Sequence, residues 1–234
     1  MAAPRLTLYR ADGACSVVPH SILLHYGIPF TPVTMESGPN RKSAGMRYVA
    51  ADGSLSHEDY LAINPEGYVP ALVVGEGEAV QPTIIAEMPA VLTYLASLTP
   101  NAKLLGDEPL QQAQVVSWMA WISGTLHATG VSVYFLQGRV VDDEHAFPGV
   151  KRKAHDIIEK SFSRIEGSLT GRKFADGRGL TAVDFNLYPF WRWAKMCGLD
   201  LGRYPRYAAH MKMIEGLEGV RKALVAEGLT PCFE

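Results

Sequence analysis

Apolar and polar positions alternate through Arg5-Leu6-Thr7-Leu8-Tyr9, and the chain then changes step, with Val17, Val18, Ser21, Ile22, Leu24 and His25 at helical spacings. A period of two followed by a period of 3.6 predicts a short strand feeding a helix. The alternation of element types continues, with strand patterns at residues 30–35, 71–74 and 78–81, the last after the Gly75-Glu76-Gly77 turn, and helical patterns at 58–63 and 85–98. This is the order expected of a βαβ unit followed by a hairpin. Residues 37–56 form a long polar, glycine-bearing segment that reads as a mobile surface loop, of a length that often carries function. Beyond Thr99-Pro100-Asn101 and Gly106-Asp107-Glu108-Pro109 every pattern is helical: 110–137, with a kink allowed at Gly124 or Gly130, then 149–169, 181–197, 204–214 and 217–226. The pattern predicts an α/β domain over 1–97, a linker over 98–107 and an all-α domain over 108–234.

Length and composition agree with two cores. The chain has 234 residues, 47% of them hydrophobic. A formal net charge of −2 with dispersed basic residues argues against a nucleic-acid surface. No apolar run approaches the roughly 20 residues needed to span a bilayer, and no charged-then-apolar signal pattern opens the chain, so a soluble, cytoplasmic protein is expected. The cysteines Cys15, Cys197 and Cys232 are widely spaced and odd in number, which argues against a disulfide framework and a metal site.

The candidate chemistry lies in Gly13-Ala14-Cys15-Ser16-Val17-Val18-Pro19-His20, which places a cysteine where a strand hands over to a helix. Proline is tolerated in a first helical turn, so Pro19 supports that boundary. Unpaired N–H groups and the positive end of the helix dipole favour an anion there, which predicts a Cys15 thiolate stabilised relative to a free cysteine. The adjacent Ser16 hydroxyl competes for the same role, and a lone cysteine also serves as a small apolar core residue. Asn64-Pro65-Glu66-Gly67-Tyr68-Val69-Pro70-Ala71-Leu72 is a turn feeding a strand. A Val69–Pro70 bond there can be cis and would hold the Val69 backbone N–H and C=O toward an extended peptide ligand. Thr181 and Asp184 form a capping-box variant, assigned to stability at roughly 1 kcal/mol. Trp118, Trp121, Tyr134, Phe135, Trp191 and Trp193 fall at helical spacings and are read mainly as core or interface.

A strand, a Cys-Ser pair at a helix start, Asn-Pro-x-Gly-x-Val-Pro-Ala-Leu, and then Glu87 at the head of Val91-x-x-Tyr94-Leu95 together resemble the thioredoxin-like half of a glutathione transferase. The helical second half is similar too. Gly-Ala-Cys-Ser-Val-Val-Pro-His most resembles the cysteine-type bacterial beta class. The resemblance implies a homodimer that binds glutathione, without a metal, and transfers its thiol to a small apolar electrophile or exchanges it with a disulfide. It also leaves room for a glutathione-dependent isomerase or lyase, or for a non-catalytic binder of the same fold. By position, Cys15 matches the residue that contacts the glutathione sulfur, Val69 and Pro70 the segment pairing with the cysteinyl backbone, and Glu87 the acid holding the γ-glutamyl end. Met88 stands where a small hydroxyl residue is usual, so only its backbone N–H is expected to reach the carboxylate. His127 matches a histidine that reaches the sulfur, with Ala128 in place of the lysine that usually follows. Tyr9 is an alternative thiol donor, and Arg41, Lys42 and Arg47 are unranked candidates for the glycyl carboxylate. A cysteine in this role tilts the chemistry toward thiol exchange.

Overall fold

The computed structural model describes residues 4–37, 46–75 and 82–233. Strand β1 (Arg5–Arg10) leads to helix α1 (Val17–His25), strands β2 (Thr31–Ser37) and β3 (Tyr48–Ala50), helix α2 (His57–Ile63), strands β4 (Ala71–Gly75) and β5 (Thr83–Ala86), and helix α3 (Met88–Leu98). The five strands form one sheet in the order β3-β2-β1-β4-β5. β1 runs parallel to β2, with Thr7 opposite Thr31, and antiparallel to β4, with Leu8 opposite Leu72. The period-two pattern of β1 buries Leu6, Leu8 and Arg10 on one face. On the other face Tyr9 packs on a cluster built from Ala11, Met35, Tyr48, Ala50, Tyr60, Val69 and Ala71.

Two predicted elements need correction. The strand expected at 78–81 lies outside the described residues, and the partner of β4 is Thr83–Ala86, whose last two residues had been assigned to the following helix. β-Branched Ile84 and Ile85 suit a strand, and helix α3 begins only after Glu87 adopts a left-handed φ of 66°. The segment read as a surface loop holds β3, which pairs Tyr48 with Ser37 and Ala50 with Met35. Tyr48 and Ala50 are buried by that pairing.

The remaining helices are α4 (Pro109–Trp121), which continues as a π-helix over Ile122–Ser132 into α5 (Val133–Phe135), then α6 (Phe147–Ser168), α7 (Ala182–Asn186), α8 (Tyr188–Ala194), α9 (Pro205–Glu215) and α10 (Glu218–Ala226). The π-helix contains both glycines marked as possible kinks, and the Thr129 hydroxyl donates to the Gly124 carbonyl at 2.6 Å. A Cβ at Gly130 would lie 3.1 Å from Ile158 of α6, so the glycine permits the close approach. The helix expected over 181–197 is two helices, because Pro189 has no N–H to give the Phe185 carbonyl. At the start of α7 the capping box is present as predicted. Asp184 Oδ2 accepts from the Thr181 N–H at 2.7 Å and from its hydroxyl at 3.0 Å, while Oδ1 accepts from the Ala175 N–H at 2.8 Å. His210 Nε2 stands 3.1 Å from the same Oδ1.

The chain divides into two compact units. Among the described residues, one takes those up to Leu98 together with Leu217–Pro231; the other takes Thr99–Gly216 with Cys232 and Phe233. Helix α10 therefore belongs with the sheet, not with the 108–234 helical domain to which its pattern alone had assigned it. Its main packing is on α1. No helix among the described residues is long and apolar enough to cross a membrane.

Candidate active site

The loop between β1 and α1 is drawn into a tight turn. Gly13 takes a φ of 70°, and the N–H of Ala14 bonds the carbonyl of Ala11. Ser16, fully buried, fixes that turn from inside: its Oγ accepts from the Ala11 N–H at 3.0 Å and donates to the Ala11 carbonyl at 3.2 Å. Its hydroxyl is used in architecture, which corrects the expectation that it competes for the thiol-contacting role.

Cys15 is buried immediately before α1, and its thiol donates to the Val69 carbonyl at 3.4 Å. The structure corrects the expected thiolate. Burial pushes the thiol up to about 12, against the backbone N–H groups of Cys15 and Ser16, which pull it down, while the carboxylates of Glu87 and Glu227 push it further up. The helix start acts in the predicted direction, but desolvation outweighs it. A protonated Cys15 is a hydrogen-bond donor and a poor nucleophile, which runs against the expected tilt toward thiol exchange.

Val69 and Pro70 are joined by a cis bond, the arrangement left open by the sequence. The preceding carbonyl, of Tyr68, is held by the Tyr60 hydroxyl and the Asn64 side-chain amide, both at 2.7 Å. Two donors on one carbonyl keep the loop before β4 in a single arrangement beside Cys15.

Glu87 is exposed at the junction of β5 and α3, and its carbonyl accepts from the Val91 N–H at 3.0 Å. A non-glycine residue with left-handed φ costs on the order of 1 kcal/mol, and such residues gather at ligand sites. Met88 begins α3 with its side chain buried, so only its backbone can face a ligand, as expected from the missing hydroxyl. Cys15, the Val69–Pro70 segment and Glu87 thus share the unit that holds the sheet.

Two further candidates are engaged with other side chains. Tyr9 sits 5.4 Å from the ring of Tyr60, and burial holds its hydroxyl above the ordinary tyrosine range. Arg47 is paired with Glu58 at 2.6 Å. Arg41 and Lys42 lie outside the described residues.

His127 belongs to the helical unit, in the middle of the π-helix. Its ring stands 5.6 Å from Phe190 and 5.7 Å from Trp193. Burial, with a smaller push from Arg139, lowers it to about 4, so near neutrality it is an uncharged imidazole that can donate one hydrogen bond but brings no positive charge. Of the six aromatic residues read mainly as core or interface, Trp191 is buried, stacked on Phe162 and edge-on to Tyr207, while Trp118, Trp121, Tyr134 and Trp193 are only partly buried, with Arg164 over Trp118 and Trp121. Phe135 is exposed.

Sequence reasoning missed Glu227. Gly13 and Glu227 are 214 residues apart in the chain, so no local pattern could join them, yet the Gly13 N–H donates to Glu227 Oε2 at 2.9 Å.

The family model of the glutathione S-transferase C-terminal domain matches residues 110–212. Glutathione S-transferase GstA of Escherichia coli O157:H7 is 29% identical over 225 residues, which span 96% of this chain and 100% of that protein. Among solved structures, a sphingomonad glutathione S-transferase complexed with glutathione is similar with a TM-score of 0.77 at 28% identity, covering 96% of this chain and 100% of that one. A bacterial beta class glutathione S-transferase from Sphingomonas chungbukensis is similar with a TM-score of 0.77 at 26% identity, over 96% of this chain and 100% of its own.

Proposed function

We propose, from the premise that this chain belongs to the glutathione transferase family, that it binds glutathione in the sheet-bearing unit and transfers its sulfur to an electrophilic carbon. The observation that carries the reading is the buried Cys15 thiol at the head of α1, donating to the Val69 carbonyl. A glutathione thiolate beside it receives the S–H of Cys15, which stabilises the sulfur anion before attack. The Glu87 carboxylate suits the γ-glutamyl ammonium, and the N–H groups opening α3 suit the neighbouring carboxylate. The Val69 backbone suits the cysteinyl peptide group as an added strand would. In the helical unit His127 offers a neutral donor, and the partly exposed Trp193 ring beside it suits a small apolar second substrate. The enzyme works in the cytoplasm as a homodimer without a metal.

Conjugation and disulfide exchange separate through Cys15. Cys15→Ser, which retains a donor, is expected to keep most of the conjugation of glutathione to an aromatic electrophile, while Cys15→Ala loses about tenfold or more, the worth of one charge-assisted hydrogen bond. Steady-state rates of both variants, with exchange against glutathione disulfide measured in parallel, test the reading. Full conjugation by Cys15→Ala would overturn it.

A further inference from the structure

Glu227 follows α10, and its side chain is wholly buried. One carboxylate oxygen accepts from the Gly13 N–H at 2.9 Å, and the other is 2.8 Å from His20 Nδ1, in α1. A single carboxylate thus bonds both the turn that carries Cys15 and the helix that turn begins. Nothing in a simple sheet-and-helix unit requires an acid there, since burying one without strong partners is costly.

The approach of α10 is built for this reach. A Cβ at Gly219 would lie 2.3 Å from both the His25 Cβ and the Ser21 carbonyl, so glycine alone lets the helix lie against the backbone of α1. The Gly219 N–H also donates to His25 Nδ1 at 3.4 Å. These contacts fix where α10 lies along α1, and with it the residue that follows the helix.

We propose that Glu227 is a positioning residue for Cys15, holding the Gly13–Cys15 turn from beyond the end of α10 so that the thiol stays a hydrogen-bond donor. The proposal rests on the reading that Cys15 serves the glutathione sulfur. The groups bearing on Cys15 are the N–H groups of its own turn, the Val69 carbonyl from the loop before β4, Glu87 from the head of α3, and Glu227. His20 pairs with Glu227, and Arg10 pairs with Asp12 on the approach to the turn. The charge of Glu227 opposes a thiolate at Cys15, in line with its upward push on that thiol.

The pH dependence of Cys15 alkylation by iodoacetamide, read on the Cys15 peptide by mass spectrometry, tests this. Glu227→Gln keeps an acceptor for the Gly13 N–H but removes the charge. Its midpoint is expected to fall by about half a unit, which is roughly a threefold rise in thiolate fraction at pH 8. A folded Glu227→Gln protein with a lower melting temperature and an unmoved midpoint would overturn the proposal, because that is the signature of a purely structural acid. If Glu227→Gln does not fold, Gly219→Ala, which pushes α10 off α1 and draws the carboxylate away, must lower the midpoint too, and an unmoved midpoint there also overturns it. Conjugation unchanged in Cys15→Ala would defeat the proposed function while leaving the alkylation result for Glu227 to stand by itself.

Discussion

The starts of α1 and α7 are both buried turns with a polar residue at the boundary, and they treat that residue in opposite ways. At α7, Asp184 is enclosed by three donors from Thr181 and Ala175, with His210 beside them, so its charge is fully met from within the protein. At α1, the Ser16 hydroxyl is just as fully engaged, but it turns backward to Ala11 and does not cap its own helix. That leaves the neighbouring Cys15 with one long bond to a carbonyl and two carboxylates against its ionisation. The same device, a polar group at a helix start, closes one helix and leaves the other open to a ligand. What separates them is whether the group's partners are all internal.

The comparison breaks most sharply at Asp184. Asp184→Ala removes the acceptor of a buried network and is expected to cost about 3–5 kcal/mol, seen as a large fall in the denaturant midpoint of whatever protein folds. The Cys15 alkylation profile of the folded fraction should not change. Ser16→Ala comes next: it strands the buried Ala11 N–H, for a loss of about 2 kcal/mol in the same measurement, and it is expected to loosen the Cys15 turn as well. A loss at Ser16 equal to that at Asp184 would mean that the two starts are built alike. The smallest effect sharpens the picture at α3, whose start is also open. Glu87→Ala and Glu87→Gly should both weaken glutathione binding about ten- to a hundredfold by calorimetry, the worth of a charge-assisted contact to an ammonium. Glu87→Gly should be the more stable of the two by at most about 1 kcal/mol, since glycine tolerates the left-handed φ.

Features written in neighbouring residues were legible in the sequence. The strand-to-helix handover at Cys15, the turn before Pro70, the acid at Glu87 and the Thr181–Asp184 box each depend on a few adjacent positions, and the structure has them there. Two strands were lost for local reasons. β3 is three residues long inside a polar stretch, and β5 abuts a helix whose apolar pattern absorbs Ile85. The helix break at Pro189 was readable, but the apolar run around it hid the missing donor. The ionisation of Cys15 was out of reach, because desolvation in the folded unit decides it, with smaller pushes from Glu87 and Glu227, residues far from it in the chain.

The return of α10 to the sheet sets an order on how the protein comes into being. As the chain leaves the ribosome, β1 through α3 emerge first and can begin to fold. The turn that carries Cys15 meanwhile waits for Glu227, which follows every helix and strand of its unit. A truncated product ending anywhere before Glu227 therefore carries the thiol but lacks the acid that restrains it.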